Sequence, residues 1–190
     1  MTVRATTMTL GGTLLRRETL VCVAGVVGFA AVSAVAAQVR IPLPFSPVPI
    51  TLQTLVVLLA GAALGARAGL ASQALYLGLG ALGLPIFAAA GAGLSGASAG
   101  YLLAFPLAAG IVGWAARKGS FRWTAAAMVA ATLLIYGLGA LWLALVTGQG
   151  IGVAVSLGVL PFIPGDILKL AGALCLAGPV RSAYTRATGE

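Results

Sequence analysis

The amino-acid sequence predicts an all-α integral membrane protein, a single unit of six transmembrane helices with both termini in the cytoplasm. Three observations lead there. Of 190 residues, 61% are hydrophobic and 7% charged, whereas a soluble domain carries roughly 25% charged residues to solvate its surface. The mean hydropathy is +1.10, so the outer face must meet lipid rather than water. Apolar runs of about 20 residues, the length a helix needs to cross a hydrocarbon core of about 30 Å, recur along the chain. Finally, the cations fall between those runs and on alternate sides. Arg4, Arg16, Arg17, Arg67, Arg117, Lys118, Arg122, Arg181 and Arg186 lie on one side of a six-span arrangement, and only Arg40 lies in a loop on the other. The positive-inside rule puts the crowded side in the cytoplasm. The formal net charge of +8 is therefore a topology signal, and nucleic acid is not expected as a partner.

The elements follow in order. Residues 1–18 form a cytoplasmic N-terminal segment, and 19–38 form the first span. A cleavable signal peptide is the rival reading there, because Arg16-Arg17 precedes an apolar run and Ala34-Val35-Ala36 has the A-x-A form. The run is as long as a full span, however, and its removal would leave five spans, so retention is expected. The stretch "IPLPFSPVPI" then carries Pro42, Pro44, Pro47 and Pro49, which makes it a semi-rigid, polyproline-like lid. Spans follow at 50–66 and 68–88. "GLPIFAAAGAGLSGASAGY" is a glycine-rich loop whose bare amides can approach a ligand. Spans at 99–116 and 123–147 come next. The stretch 148–165 is an extracytoplasmic loop with room for a short helix. Pro161, Pro164 and Gly165 break the apolar pattern, so the sixth span is expected at 166–187 with Asp166 as its N-cap. Residues 188–190 are a C-terminal tail.

Polar side chains within the spans are few: Gln53, Gln73, Tyr76, Tyr101, Asp166 and Lys169. A glutamine or tyrosine in a span commonly serves as interhelical glue. An ionised side chain is different, because at mid-membrane it costs about 2.5–3.5 kcal/mol and usually faces a partner or a functional cavity. Asp166 and Lys169 stand at i and i+3, on one helix face. They form either a self-satisfied structural pair or the charged floor of a small-molecule site beneath the three outer loops. In the first span, Ala30 with Ala34 and Ser33 with Ala37 are small-xxx-small pairs, which serve either general packing or docking onto another membrane protein. The two cysteines, Cys22 and Cys175, sit in apolar runs, and the chain has no histidine, so no metal or cofactor is expected. There is no GxxxxGK[ST] phosphate loop and no nucleophile–base–orienter set. The residues read as a binding protein, not an enzyme. A stand-alone porter that uses Asp166 as its proton-coupled carboxylate is the alternative, with the lack of a clear inverted repeat against it.

The strings "PLPFSPVPITLQTLVVLLAGAALGARAG", "YLGLGALGLPIFA", "AGYLLAFPLAAGIVG" and "IPGDILKL", in this order over about 38–172, resemble the BioY family. BioY proteins are the biotin-specific S components of energy-coupling factor (ECF) vitamin transporters. The resemblance implies a six-helix S-component fold in a bacterial-type cytoplasmic membrane and high-affinity capture of biotin at the extracytoplasmic side. As partners it implies the lipid bilayer, a transmembrane coupling subunit and two ATP-binding-cassette ATPases, which would hydrolyse the ATP; the chain alone is compatible with a homo-oligomer. By the same resemblance the Asp and Lys of the PGDxxK string, here Asp166 and Lys169, hold biotin. An amide-bearing residue on the third helix meets the ureido ring, a place for Gln73 or Tyr76. Gln53, Tyr101, Arg40 and Phe87 complete the candidate binding set. The AxxxA docking pair on the first helix maps onto Ala30 and Ala34.

Overall fold

The computed structural model describes residues 3–88 and 93–189, with side chains from residue 17 onward. Arg4, Arg16, the ends of the chain and 89–92 of the glycine-rich loop thus lie outside the described side chains. The described residues build seven α-helices and one minimal β-ribbon. Helix α1 spans Val3–Gln38, α2 Gln53–Leu64, α3 Ala66–Ala81, α4 Ala99–Ala116, α5 Phe121–Thr147, α6 Ile151–Gly158 and α7 Ile163–Thr188. A 3₁₀ turn at Gly93–Ser95 precedes α4.

Four helical stretches are long and apolar enough to cross a membrane: Arg17–Gln38, Ala99–Ala116, Phe121–Thr147 and Ile163–Thr188. The expected spans at 50–66 and 68–88 are both shorter in the structure. With 12 residues, α2 rises about 18 Å at 1.5 Å per residue. It starts late because Ile50–Thr51 (β2) pairs antiparallel with Arg40–Ile41 (β1), in the register Arg40↔Thr51 and Ile41↔Ile50. This ribbon clamps the ends of the proline-rich loop, which turns at Leu43–Ser46 rather than running as an extended lid: the Ser46 amide donates to the Leu43 carbonyl at 3.2 Å. Only Gly65, at φ +82, separates α2 from α3, a conformation in which a side chain would be strained. The second shortening comes at Leu82–Gly83, since Pro85 removes an amide and disfavours helix in Leu84.

α7 begins three residues earlier than the proline pattern suggests. Pro164 falls in the first turn, where a missing amide costs nothing because that amide has no helical partner. Asp166 is consequently not an N-cap. Its own amide already donates to the Phe162 carbonyl at 2.8 Å, and the carboxylate is free to point elsewhere. The loop expected at 148–165 contains α6, which folds back along α5.

Among the four long stretches, α4 is the most buried and α7 the least, so α4 is the central post. Small residues make this possible. A Cβ on Gly61 would strike the Ala109 carbonyl, and one on Gly113 would strike the Gly65 backbone, so α2, α3 and α4 meet backbone to backbone. The outer surface carries Leu20, Val27, Trp114, Phe121, Leu145 and Leu168, all exposed, as a lipid-facing surface requires.

Candidate functional site

At the end of the bundle where α2, α4 and α7 begin, the helices and loops enclose a cavity with about 820 Å³ of empty space, its open mouth included. Asp166 and Lys169 of α7 form its charged corner. Lys169 Nζ sits 2.6 Å from Asp166 Oδ1, and both side chains are at least nine-tenths buried. The Thr54 hydroxyl of α2 donates to the same Oδ1 at 2.9 Å, and the Tyr136 hydroxyl of α5 donates to Oδ2 at 2.6 Å. The carboxylate thus draws donors from three helices, which satisfies a buried charge. Among the described residues this is the sole ion pair, and no buried side-chain nitrogen or oxygen lacks a partner.

The remaining walls are apolar and aromatic. Tyr101, Leu102 and Phe105 come from α4, Ile135 from α5, Phe162 from the turn before α7, and Phe87 from the segment after α3. Tyr101 and Phe162 meet edge to face with centroids 6.1 Å apart. The roof is the proline-rich loop, Pro47 to Thr51, with Gly96, Ala97 and Ser98. Gln53 adds a side-chain amide to this surface; its Oε1 accepts from the Thr51 hydroxyl at 3.2 Å, and its Nε2 lies 2.8 Å from the Tyr76 hydroxyl.

Of the residues singled out in the sequence, Asp166, Lys169, Gln53, Tyr101 and Phe87 line the cavity, and three others stand off it. Tyr76 is fully buried behind Gln53 and Phe87, donating to the Ile86 carbonyl at 3.2 Å while its ring meets Phe87 edge-on at 5.4 Å. Gln73 joins α3 to α1: its Oε1 accepts from the Ser33 hydroxyl at 3.1 Å, and its Nε2 donates to the Ser72 hydroxyl at 3.2 Å. Arg40 is exposed and donates to the carbonyl of Ala88, tying the ribbon to the loop that walls the cavity. Arg40 and Tyr76 therefore position groups that line the cavity, and Gln73 supports the bundle. Ala30 is 3% exposed and belongs to the core, while Ala34 is half-buried against it. Of the Ala30–Ala34 pair, α1 therefore turns Ala30 toward its neighbours and leaves Ala34 in part at the surface.

The sequence reading missed Tyr136, Thr54, Phe162 and Phe105. Tyr136 had a signal, a lone hydroxyl in the apolar run "LLIYGLG". Phe162 and Phe105 carried none, since an aromatic in an oily chain reads as lipid-facing or core. The assembled chemistry suits a small organic molecule with an apolar body and polar ends. Asp166 accepts, Lys169 donates, Gln53 can do either, and the aromatic walls exclude water.

Comparison with known proteins agrees with this geometry. A family model described as the BioY family matches residues 6–186. The chain is 41% identical over 152 residues to the probable biotin transporter BioY of Pyrococcus horikoshii, covering 78% of this chain and 89% of that one. It is 40% identical over 153 residues to the biotin transporter BioY of Thermotoga maritima, with the same coverage. In structure it is similar to a crystallised S-component for biotin from an ECF-type ABC transporter. The TM-score is 0.79 at 23% sequence identity, over 87% of this chain and 93% of that one, a likeness of fold.

Proposed function

The chain belongs to the BioY family, and from that premise we propose that it is the biotin-capturing S component of an ATP-driven ECF importer. The observation that carries the reading is the buried Asp166–Lys169 pair at the corner of an aromatic cavity. Biotin offers two ureido N–H donors, a carbonyl acceptor and a carboxylate tail around an apolar bicycle. A carboxylate and an ammonium on one helix face serve both kinds of group, and the Phe and Tyr walls cover the rest. Thr54 and Tyr136 hold Asp166 in place for the ligand.

In this proposal the chain crosses the membrane six times, with α2 and α3 as two short crossings joined at Gly65, and the cavity faces outward. Residues 19–187 make up the membrane domain, and 1–18 with 188–190 lie in the cytoplasm. The support is the charge asymmetry: Arg17, Arg67, Arg117, Lys118, Arg122, Arg181 and Arg186 lie at the end opposite the cavity. Energy for transport would come from two ABC-type ATPases through a transmembrane coupling subunit, and α1 is the helix proposed to dock on that subunit. With Ala30 buried, the accessible small residues of α1 are Ala24, Gly28, Ala31 and, in part, Ala34.

Binding of labelled biotin to the purified chain tests the reading. Wild type should bind, and Asp166→Asn or Lys169→Ala should lose about 2 kcal/mol or more, as expected when one partner of a desolvated polar pair is truncated. Unchanged affinity in both variants, measured by calorimetry, would refute the assignment.

A further inference from the structure

A second cavity lies at the opposite end of the bundle, with about 1500 Å³ of empty space, its open mouth included. Three arginines from three segments line it: Arg67 in the first turn of α3, Arg117 just past α4, and Arg181 in α7. Arg181 donates to the Ala116 carbonyl, which anchors its guanidinium across to α4. Glu18 is the one acid in the lining, and it forms no ion pair with the arginines, since the sole pair among the described residues is Asp166–Lys169. The cavity therefore keeps an excess of positive charge. The start of α3 adds to it: Gly65 caps the helix without a side chain, and Gly65, Ala66 and Ala68 line the cavity beside Arg67. First-turn amides without helical partners favour an anion.

α1 contributes an apolar part of the lining: beyond Glu18 and Thr19 come Cys22, Val23 and Val26, and the exposed Val23 and Val27 continue the strip along the helix toward mid-bundle. A cationic recess that opens onto an apolar strip suits a ligand with a phosphate at one end and a hydrocarbon chain at the other. We infer that this cavity binds the headgroup of an anionic phospholipid, with the phosphate among Arg67, Arg117 and Arg181 and an acyl chain along α1. Guanidinium groups match phosphate oxygens in a fork geometry, and basic pockets between membrane helices recognise anionic headgroups. Free phosphate shares the polar half of this chemistry but makes no use of the apolar strip.

The test uses the full chain, purified and delipidated in detergent. Native mass spectrometry and thermal unfolding are followed with phosphatidylglycerol, phosphatidylcholine or inorganic phosphate added. Phosphatidylglycerol should be retained and should raise the unfolding temperature, with little effect from phosphatidylcholine. Arg67→Gln should weaken that retention roughly fivefold, and Arg67→Gln with Arg117→Gln together roughly thirtyfold, at about one arginine's worth of surface attraction each. Arg122→Gln, a cation at the same end but outside the cavity, should leave it unchanged. Monodisperse elution and native circular dichroism establish that each variant is folded, independently of biotin binding, so this result stands apart from the proposed function. Equal retention of both lipids, a double variant like wild type, or full stabilisation by inorganic phosphate alone would overturn the inference. So would displacement of phosphatidylglycerol by an acidic peptide at micromolar concentration, which would make the recess a protein-docking site.

Discussion

Asp166 shows how a single residue acquires its role. A carboxylate in this chain must be compensated wherever it is buried, and the structure compensates it three times, through Lys169, Thr54 and Tyr136. The i, i+3 partner was legible from spacing alone. The other two come from α2 and α5, 112 and 30 residues away in sequence, where spacing carries no information. Tyr136 merits a direct test, because its hydroxyl fixes the second carboxylate oxygen at 2.6 Å. Tyr136→Phe removes a hydrogen bond to a charged acceptor while keeping the ring that lines the cavity. Biotin affinity should fall by about 1–2 kcal/mol, roughly tenfold. Calorimetry that gives the wild-type value would mean that Lys169 and Thr54 hold the carboxylate unaided.

Among the elements, α1 departs most in meaning from its sequence pattern. Its small residues point two ways: Ala30, Ser33 and Ala37 pack into the bundle, with Ser33 bonded to Gln73 of α3, while Ala24, Gly28 and Ala31 remain outside. Small residues permit close approach on any face, so composition alone could not tell an internal contact from an external one. If α1 docks on a coupling subunit through its outer side, Ala31→Leu with Ala34→Leu should abolish co-purification of that subunit while biotin binding persists. Survival of the complex would move the docking surface to another helix. The short α2 and α3 illustrate a second effect. Their apolar pattern is continuous with that of the flanking segments, but Ile50–Thr51 is drawn into the ribbon and Pro85 stops α3 early. Tertiary pairing and one proline override hydropathy at both ends.

For the whole molecule, the two ends differ in charge and in chemistry. One carries the aromatic cavity with its single ion pair, and the other carries most of the arginines and the recess that Arg67, Arg117 and Arg181 line. The proposed orientation predicts a labelling pattern. In a chain with Cys22 and Cys175 replaced by serine, a cysteine at Gln149 should react with an impermeant maleimide on intact cells, and one at Lys118 only after permeabilisation. The reverse pattern would invert the topology. The sequence by itself determined the membrane class, the central helical stretches at 99–116 and 123–147 to within two residues, and the charged corner of the site. These rest on composition, on apolar run length and on the cost of a buried charge, all local quantities. Only the tertiary structure decided that Gln53 faces the cavity while Gln73 joins two helices, that Tyr76 stands behind the wall, and that Ala30 faces inward. Each of those depends on how a helix is rotated about its own axis. In a chain apolar on every side, that rotation is set by close contacts such as Gly61 on Ala109 and Gly113 on Gly65, and not by any amphipathic pattern along the sequence.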